Sequence, residues 1–177
     1  MILAGKEKVC INLKYFLNII ILQLRNAILI NSKSMRDPNN PCIFCNIKES
    51  EFTYENNLAY ASYDTYPVSK HHCLIIPKRH IKDYFDLTNE ELVSCNDLIK
   101  KIKEEITKKD HTVSGFNIGT NIGKVSGQSI LHCHFHLIPR RKGDVENPQG
   151  GVRSVIPNKQ HYRRKKLPVI KDKLTRV

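Results

Sequence analysis

The chain lacks tryptophan, has only two methionines, and carries eight glycines and eight prolines among 177 residues. Such low glycine and proline usage excludes collagen-like and low-complexity chains. Long apolar runs are also absent, because Lys14 and Arg25 bound the longest uncharged run of the N-terminal region, Tyr15 to Leu24. A membrane helix needs about 20 apolar residues, so no membrane span is expected. Hydrophobic residues at 40% and charged residues at 26% are ordinary for one globular domain with tails.

Acidic residues are scarce at the two ends of the chain. The net charge of +12 divides into +4 for residues 1–34, −1 for residues 35–138 and +9 for residues 139–177. The body is therefore electrically balanced, which disfavours nucleic acid as a partner of the domain. The basic run Arg163 to Lys166 still leaves a nucleic-acid-binding tail open as an alternative.

The six cysteines are at positions 10, 42, 45, 73, 95 and 133. An even number in a secreted chain could form three disulfides. Here Cys42 and Cys45 form a C-x-x-C pair, three of the others lie singly in apolar runs, and the chain is long enough to fold without covalent links. These features favour reduced thiols and a cytoplasmic protein.

Three segments are predicted along the chain. Residues 1–34 form a leader or an over-extended start before Met35, with a signal peptide as the alternative, although no small-residue cleavage site follows the apolar run. Residues 35–142 form the functional domain. Residues 143–177 form a basic, turn-rich extension.

The domain is predicted to be α+β. Thr88 and Glu91 form a capping box, and apolar residues then recur at helical spacing as far as Lys109. Short runs rich in aromatic and branched residues predict four strands, at Leu58–Tyr63, Cys73–Ile76, Phe116–Thr120 and Ile130–Ile138.

The last predicted strand carries three histidines in strict alternation with apolar residues. In a strand, His132, His134 and His136 would share one face, and Cys133, Phe135 and Leu137 would share the other. Neutral imidazoles can act as bases, nucleophiles or metal ligands near pH 7. The preceding string Ser126 to Ser129 could offer hydrogen-bond donors to phosphate oxygens beside them.

Asn121, the string Gly127-Gln128-Ser129 and the pattern His132-x-His134-x-His136 resemble the signature of the histidine-triad (HIT) superfamily of nucleotide hydrolases and transferases. The resemblance continues upstream and covers roughly Pro41 to Arg140. It implies a HIT-like fold, namely an antiparallel sheet of about five strands with one long and one short helix, and a homodimer. It also implies a nucleotide substrate.

The resemblance also implies a role for each matching residue. His134 would attack the α-phosphate and form a nucleotidyl-histidine, and His136 would contact the phosphate or the leaving group. Asp64 would bind the ribose hydroxyls. The phosphate site would be formed by His72, Asn121, Gly127, Gln128 and Ser129, and the base pocket by Ile43, Phe44, Ile47 and Leu74. Core packing is the alternative for the last four.

Two positions depart from the family pattern. His71 stands where many members have glycine, and Ser62 stands at a base-pocket position that is often aromatic. Both affect the expected base preference and leave the triad unchanged.

The C-x-x-C pair can supply two thiolates to a tetrahedral zinc ion, which needs two further ligands. By resemblance to a subset of HIT proteins, His80 and His132 complete the set with Cys42 and Cys45, so structural Zn²⁺ is expected. A redox pair and two free thiols are the alternatives.

The leading functional hypothesis is a HIT hydrolase that releases a nucleoside monophosphate from a dinucleoside polyphosphate or a nucleoside phosphoramidate. Transferase branches typically carry glutamine at the position of His136. Two further hypotheses stay open, namely a DNA-end deadenylating or nucleic-acid-binding protein and a non-catalytic nucleotide-binding protein. The extension resembles a tail of some bacterial HIT proteins and could cover the partner subunit's pocket.

Overall fold

A computed structural model describes residues 17–21 and 41–161. Most of the expected leader, Met35 and the basic run Arg163 to Lys166 lie outside the described residues. A helical segment, α1, occupies residues 17–21. Within the described ranges, no helix combines the length and apolar character needed to cross a bilayer.

The domain is built on one antiparallel sheet in the spatial order β1-β2-β3-β5-β4. Its elements in chain order are the short helix α2 (Ile43–Asn46), β1 (Tyr54–Glu55), β2 (Ala59–Tyr63), β3 (Cys73–Pro77), the long helix α3 (Asn89–Lys109), β4 (Val113–Gly119) and β5 (Phe135–Arg141). The expected α+β class, the five-stranded antiparallel sheet and the pair of one long and one short helix are confirmed.

Both faces of the sheet are buried, because successive strand residues point to opposite sides. In β2, Ala59 and Ala61 join the larger core cluster, whereas Tyr60 joins the smaller one. The larger cluster packs against α3. The smaller cluster lies under α2, where the Tyr60 hydroxyl donates to the carbonyl oxygen of Phe44 over 2.5 Å.

Helix α3 begins and ends where the sequence predicts. Thr88 and Glu91 form the reciprocal capping box, and the helix ends at Lys109. Its buried apolar face consists of Cys95, Leu98, Ile102 and Ile106. Glu91 is also buried, with 2% of its surface exposed, because it pairs with Arg79.

Three predicted strand boundaries are wrong by three residues or more. Strand β4 begins at Val113 rather than Phe116, and β5 extends over Phe135–Arg141 rather than Ile130–Ile138. The segment before β5 leaves the ladder because the amide of Cys133 donates to Ile81 over 2.6 Å instead of to a strand. Consequently, only His136 of the three histidines lies in a strand.

The chain divides into two compact units, Met1–Lys142 and Gly143–Val177. In the second unit, a short 3₁₀ helix, Gly151–Val155, follows Gly150, whose φ is 73°. A Cβ at Gly150 would lie 1.9 Å from the carbonyl oxygen of Gln160, so this turn requires glycine. The described part of the extension therefore folds back on itself.

Candidate active site and metal centre

The three histidines lie side by side in a row, although only His136 is in strand β5. The rings of His134 and His136 lie 5.1 Å apart, and Phe44 packs edge-on against both His132 and His134. The alternating residues Cys133, Phe135 and Leu137 lie in the core cluster on the other side. The predicted segregation of imidazoles from apolar side chains is therefore present.

His134 has a defined orientation. Its Nδ1 lies 2.8 Å from the carbonyl oxygen of His132, and a carbonyl oxygen can only accept, so Nδ1 carries the proton. In the neutral ring, Nε2 then holds the free lone pair. The side chain is buried, with the whole residue 5% exposed, so this geometry is firmly held. His134 thus presents one nucleophilic nitrogen.

His136 contacts a fourth histidine, His72. Their Nδ1 and Nε2 atoms, respectively, lie 3.0 Å apart, and His72 is 3% exposed. Asp64 approaches the other nitrogen of His72, with Oδ2 3.3 Å from Nδ1. The fold therefore brings Asp64, His72 and His136 together.

Burial has the largest effect on the pKa values of His136 and His72. It lowers the pKa of His136 to about 4, with the neighbouring His134 and His72 adding to the shift. Burial also lowers the pKa of His72, although the Asp64 carboxylate opposes the shift. Both rings are therefore neutral near pH 7 in the ligand-free protein.

The side chain of Gln128 holds the loop before the histidines, residues 121–129, in place. The Gln128 side chain accepts from the amide of Gly123 and donates to the carbonyl oxygen of Lys82, both over 2.8 Å. Both ends of the amide thus bind backbone, and the expected role of Gln128 as a phosphate donor stays a prediction, since the side-chain NH₂ has two hydrogens and the bond to Lys82 uses one. The side chain holds the loop in place.

The other hydrogen-bond donors of this loop differ in whether they already have a partner. The amides of Ser126, Gly127 and Gln128 donate within the loop itself. Ser129 is exposed, and neither its amide nor its hydroxyl has a hydrogen-bond partner within the described residues. Gly127 has φ 88° and lies close to the Asn121 side chain, since a Cβ there would be 3.8 Å from Asn121 Nδ2. Asn121 and Gly127 thus lie together ahead of the histidines, and Ser129 follows Gly127 by two residues.

The expected base-pocket residues occupy different environments. Phe44 and Leu74 are buried in the smaller core cluster, with Ile47 half-buried against it. Ile43 is 59% exposed. Core packing therefore accounts for Phe44 and Leu74, whereas Ile43 offers apolar surface at the start of the domain.

The four predicted metal ligands lie together. One ligand atom from each of Cys42, Cys45, His80 and His132 falls within 4.8 Å of the other three. His132 Nδ1 is 3.4 Å from Cys42 Sγ and 3.6 Å from Cys45 Sγ, and His80 Nδ1 is 3.3 Å from Cys45 Sγ. The other nitrogen of His132, Nε2, donates to the Pro77 carbonyl oxygen over 2.9 Å.

These distances fit a tetrahedral zinc ion. Bonds of about 2.3 Å to sulfur and about 2.0 Å to nitrogen place neighbouring S and N ligands roughly 3.5 Å apart. The bond to Pro77 fixes the tautomer of His132 so that Nδ1 faces the thiols, as metal-binding histidines require. Burial lowers the pKa of His132 to about 4, which keeps the ring neutral.

The other described cysteines are unsuited to metal or redox chemistry. Burial raises the pKa of Cys73, Cys95 and Cys133 to about 12, so these thiols stay protonated. The five described cysteines form no disulfide with one another. Cys10 lies outside the described residues.

Sequence reasoning missed three relationships in this region. They are the Gln128 clamp, the Arg79–Glu91 pair and the contact of Asp64 with His72, and none of them follows from the periodicity of a single helix or strand. The sequence offers one indication of these contacts. Glu91 lies one position before the apolar stripe of α3, and a charge beside a buried helix face indicates a partner of opposite charge.

Comparisons with known proteins agree with the fold. The profile of the HIT domain matches residues 46–143. A HIT-like protein of Methanocaldococcus jannaschii is 40% identical over 111 residues, which cover 59% of this chain and 83% of that protein. The adenosine 5'-monophosphoramidase of Saccharomyces cerevisiae is 35% identical over 104 residues, covering 56% of this chain and 63% of the yeast protein.

Two solved structures are informative. A zinc-bound histidine triad family protein of Mycobacterium smegmatis is 30% identical, with a TM-score of 0.55 over 60% of this chain and 80% of its own. The diadenosine triphosphate hydrolase of Plasmodium falciparum is 28% identical, with a TM-score of 0.50 over 57% of this chain and 68% of its own.

Proposed function

Because this chain belongs to the HIT domain family, we propose that it is a nucleotide hydrolase that releases a nucleoside monophosphate through a nucleotidyl-histidine intermediate. Two relatives support the substrate class, since the yeast protein is named an adenosine 5'-monophosphoramidase and the Plasmodium protein a diadenosine triphosphate hydrolase. The substrate is thus a nucleoside phosphoramidate or a dinucleoside polyphosphate.

The orientation of His134 carries this proposal. Its Nδ1 proton is held by the His132 carbonyl oxygen, so Nε2 is the nitrogen available to attack phosphorus. An imidazole held with its proton on Nδ1 can attack through Nε2 without a separate base. The buried ring also loses little conformational freedom on reaching the transition state.

The reaction proceeds in two steps. In the first, a bond forms between His134 Nε2 and the α-phosphorus, the bond between phosphorus and the leaving group breaks, and the leaving group departs with the bonding electron pair and takes up a proton from solvent. In the second, the water oxygen bonds to phosphorus, the electron pair of the bond between phosphorus and His134 returns to Nε2, and the water gives up one proton to solvent. Phosphoryl transfer of this kind depends mainly on positioning and on charge stabilisation.

Each neighbouring residue has a role in this proposal. Ser129 supplies donors to the phosphate, and Asn121 and Gly127 shape the same site. Gln128 positions the loop. Ile43 contacts the base, and Phe44 and Leu74 support the pocket from the core. His136 contacts the phosphate and the attacking water.

We also propose that Cys42, Cys45, His80 and His132 hold a structural zinc ion. Their spacing fits tetrahedral coordination, and the Mycobacterium neighbour is zinc-bound. The ion would fasten α2, the segment after β3 and the first triad histidine together. Such a site is closed by four protein ligands and supplies folding energy rather than chemistry.

A homodimer and a cytoplasmic location complete the proposal. Within the described residues, β4 pairs with β5 only, so one edge of the sheet remains available, and Ile118 on that strand is 51% exposed. The five described cysteines form no disulfide with one another, which suits a reducing compartment. Light scattering of the purified chain tests the dimer.

Intact-protein mass spectrometry tests the nucleophile. The wild type, mixed briefly with adenosine 5'-phosphoramidate and quenched without acid, should gain one adenylate, and His134→Ala should gain none. His111→Ala is a matched control, because His111 is exposed and makes no contact with the triad. Absence of both adduct and turnover in the wild type, with this substrate and with diadenosine triphosphate, would assign the protein to nucleotide binding instead.

A further inference from the structure

The loop between β2 and β3, residues 64–72, carries a candidate site residue at each end. The Asp64 amide donates to the His72 carbonyl oxygen over 2.9 Å and closes the loop. One carboxylate oxygen of Asp64, Oδ1, accepts from the Tyr66 amide over 2.9 Å. The other, Oδ2, lies 3.3 Å from His72 Nδ1, but that nitrogen accepts from the Val68 amide at 3.4 Å. Within the described residues, Oδ2 therefore has no hydrogen-bond donor and can accept from a ligand.

Two side chains tie this loop to the end of β5. The Ser69 hydroxyl donates to the Pro139 carbonyl oxygen over 2.8 Å, and Arg141 Nη2 donates to the Lys70 carbonyl oxygen over 3.3 Å. Pro139 and Arg141 follow His136 on β5 by three and five residues. The loop is therefore held to the strand that carries the last histidine of the row.

Arg141 is itself held at the C-terminal end of α3. Its Nη2 donates to Asp110 Oδ2 over 2.8 Å, and its Nε donates to Thr112 Oγ1 over 3.1 Å. The Thr112 amide and hydroxyl both donate to Asp110 in turn. Hydrogen bonds from Arg141 and Thr112 hold the pKa of Asp110 well below its usual value, so this carboxylate stays charged. Because two partners fix the planar guanidinium, its bond to the loop has a defined direction.

The other side chains in the middle of the loop hold it weakly. Tyr66 and Val68 are 86% and 72% exposed, and segments with few buried contacts open easily. His71 has φ 69°, a conformation that is unfavourable for a residue with a Cβ. Ser69 and Arg141 therefore supply the side-chain hydrogen bonds that hold this segment to the sheet.

We propose that Ser69 and Arg141 are positioning residues that hold Asp64 against the ribose of the bound nucleotide, and that they thereby set the preference for a nucleotide with ribose hydroxyls. The inference rests on the proposed function, in which Asp64 is expected at the ribose, and it deepens that function. The anchored segment reaches Asp64 through the His72 carbonyl oxygen. A hydroxyl donates a strong hydrogen bond to a charged acceptor only in good geometry, so a displaced carboxylate loses selectivity.

Isothermal titration calorimetry measures this preference as the ratio of the dissociation constants for 2',3'-dideoxy-AMP and AMP. We expect a ratio of about ten or more in the wild type, because hydrogen bonds to charged groups are the strong ones. Ser69→Ala and Arg141→Gln should each lower the ratio about threefold or more, chiefly by weakening AMP. Arg140→Gln is the matched control. It removes the same charge one residue earlier on β5, where Arg140 Nη1 donates to Asn117 on β4.

A double-mutant cycle separates positioning from a general loss of structure. Asp64→Ala should abolish the preference, and adding Ser69→Ala to it should change the ratio no further, because both changes act on the same contact. Ser69→Ala removes a single hydrogen bond, so it decides the question even if Arg141→Gln, which leaves Asp110 without its cation, fails to fold.

Three outcomes would overturn the inference. They are an unchanged ratio in both variants, an equal loss of affinity for the two nucleotides, and a wild type that binds both nucleotides equally well. Failure of the proposed function is distinguishable from these outcomes, because the calorimetry needs no turnover. A wild type that prefers AMP but forms no adenylate on His134 would keep the inference and refute the hydrolase.

Discussion

The Gln128 side chain donates to the carbonyl oxygen of Lys82 over 2.8 Å and thereby joins the loop before the histidines to the segment after β3. The same segment carries His80, a candidate zinc ligand, and the Ile81 carbonyl that accepts from Cys133. The candidate metal centre, the loop and the histidine row therefore share one support. A disturbance at any of these points is expected to reach the others.

Gln128→Ala should lower both stability and turnover. The change removes two hydrogen bonds, one to the Gly123 amide and one to the Lys82 carbonyl oxygen, and each contributes about 0.5–1.5 kcal/mol net. Both residues are exposed, so water replaces part of the loss. Urea unfolding measures the loss, and kcat should fall because the loop is no longer held. Ser129→Ala should leave stability within about 0.5 kcal/mol, as exposed positions usually do. Equal stability of Gln128→Ala and the wild type would show that the clamp is dispensable.

The purified chain should contain one zinc ion per subunit, measured by elemental mass spectrometry. Cys45→Ser should lose the ion and lower the melting temperature, because two thiolates and two imidazoles are needed to close the site. Cys73→Ala is the matched control, since this buried thiol lies outside the cluster. Retention of zinc by Cys45→Ser would place the ion elsewhere.

Local patterns predicted the parts of the fold that depend on neighbouring residues. The capping box and apolar stripe defined α3 because both signals are contained in the helix itself. The start of β5 was misplaced because alternation continues through residues 130–134, while the Cys133 amide bonds to Ile81. Periodicity reports which side a residue faces and does not report which backbone group it pairs with.

The sequence predicted those parts of the candidate site in which the spacing of the residues is set by the chemistry they perform. The pair Cys42 and Cys45 and the alternating histidines are such cases. The role of Gln128 was not predictable, because an amide that contacts phosphate and an amide that clamps a loop look identical in sequence. The contact of Asp64 with His72 depends on how the loop between β2 and β3 closes, where the Asp64 amide donates to the His72 carbonyl oxygen.

Glu91 should make the free energy of unfolding depend on pH in the acidic range. Burial alone would raise the pKa of Glu91, but hydrogen bonds from Arg79 and the Thr88 amide, with the charge of Arg79, lower it overall. A carboxyl whose folded pKa is lowered stabilises the fold above its unfolded value, about 4.3, and that contribution is lost as pH falls through the folded pKa. Urea unfolding of the wild type should therefore weaken below about pH 4.

Glu91→Gln should flatten this acid dependence and reduce stability at pH 7. Arg79 is 39% exposed, so water screens part of the loss. We expect about 1–3 kcal/mol, below the cost of breaking a fully buried pair. Glu104→Gln, at an exposed position of the same helix, should keep the wild-type profile. An unchanged acid slope in Glu91→Gln would exclude Glu91 as its source.

His71→Gly should stabilise the fold. His71 has φ 69°, a left-handed conformation that costs a residue with a Cβ about 1–2 kcal/mol and costs glycine little. The imidazole contributes little in return, because its Nε2 lies 3.9 Å from Asp110 and burial lowers the pKa of His71, with Lys70 adding to the shift. His71→Ala removes the same ring and keeps the Cβ, so it should not gain stability. Urea unfolding of both variants separates backbone strain from side-chain contacts, and equal stability of the glycine and alanine variants would mean that the conformation costs nothing here.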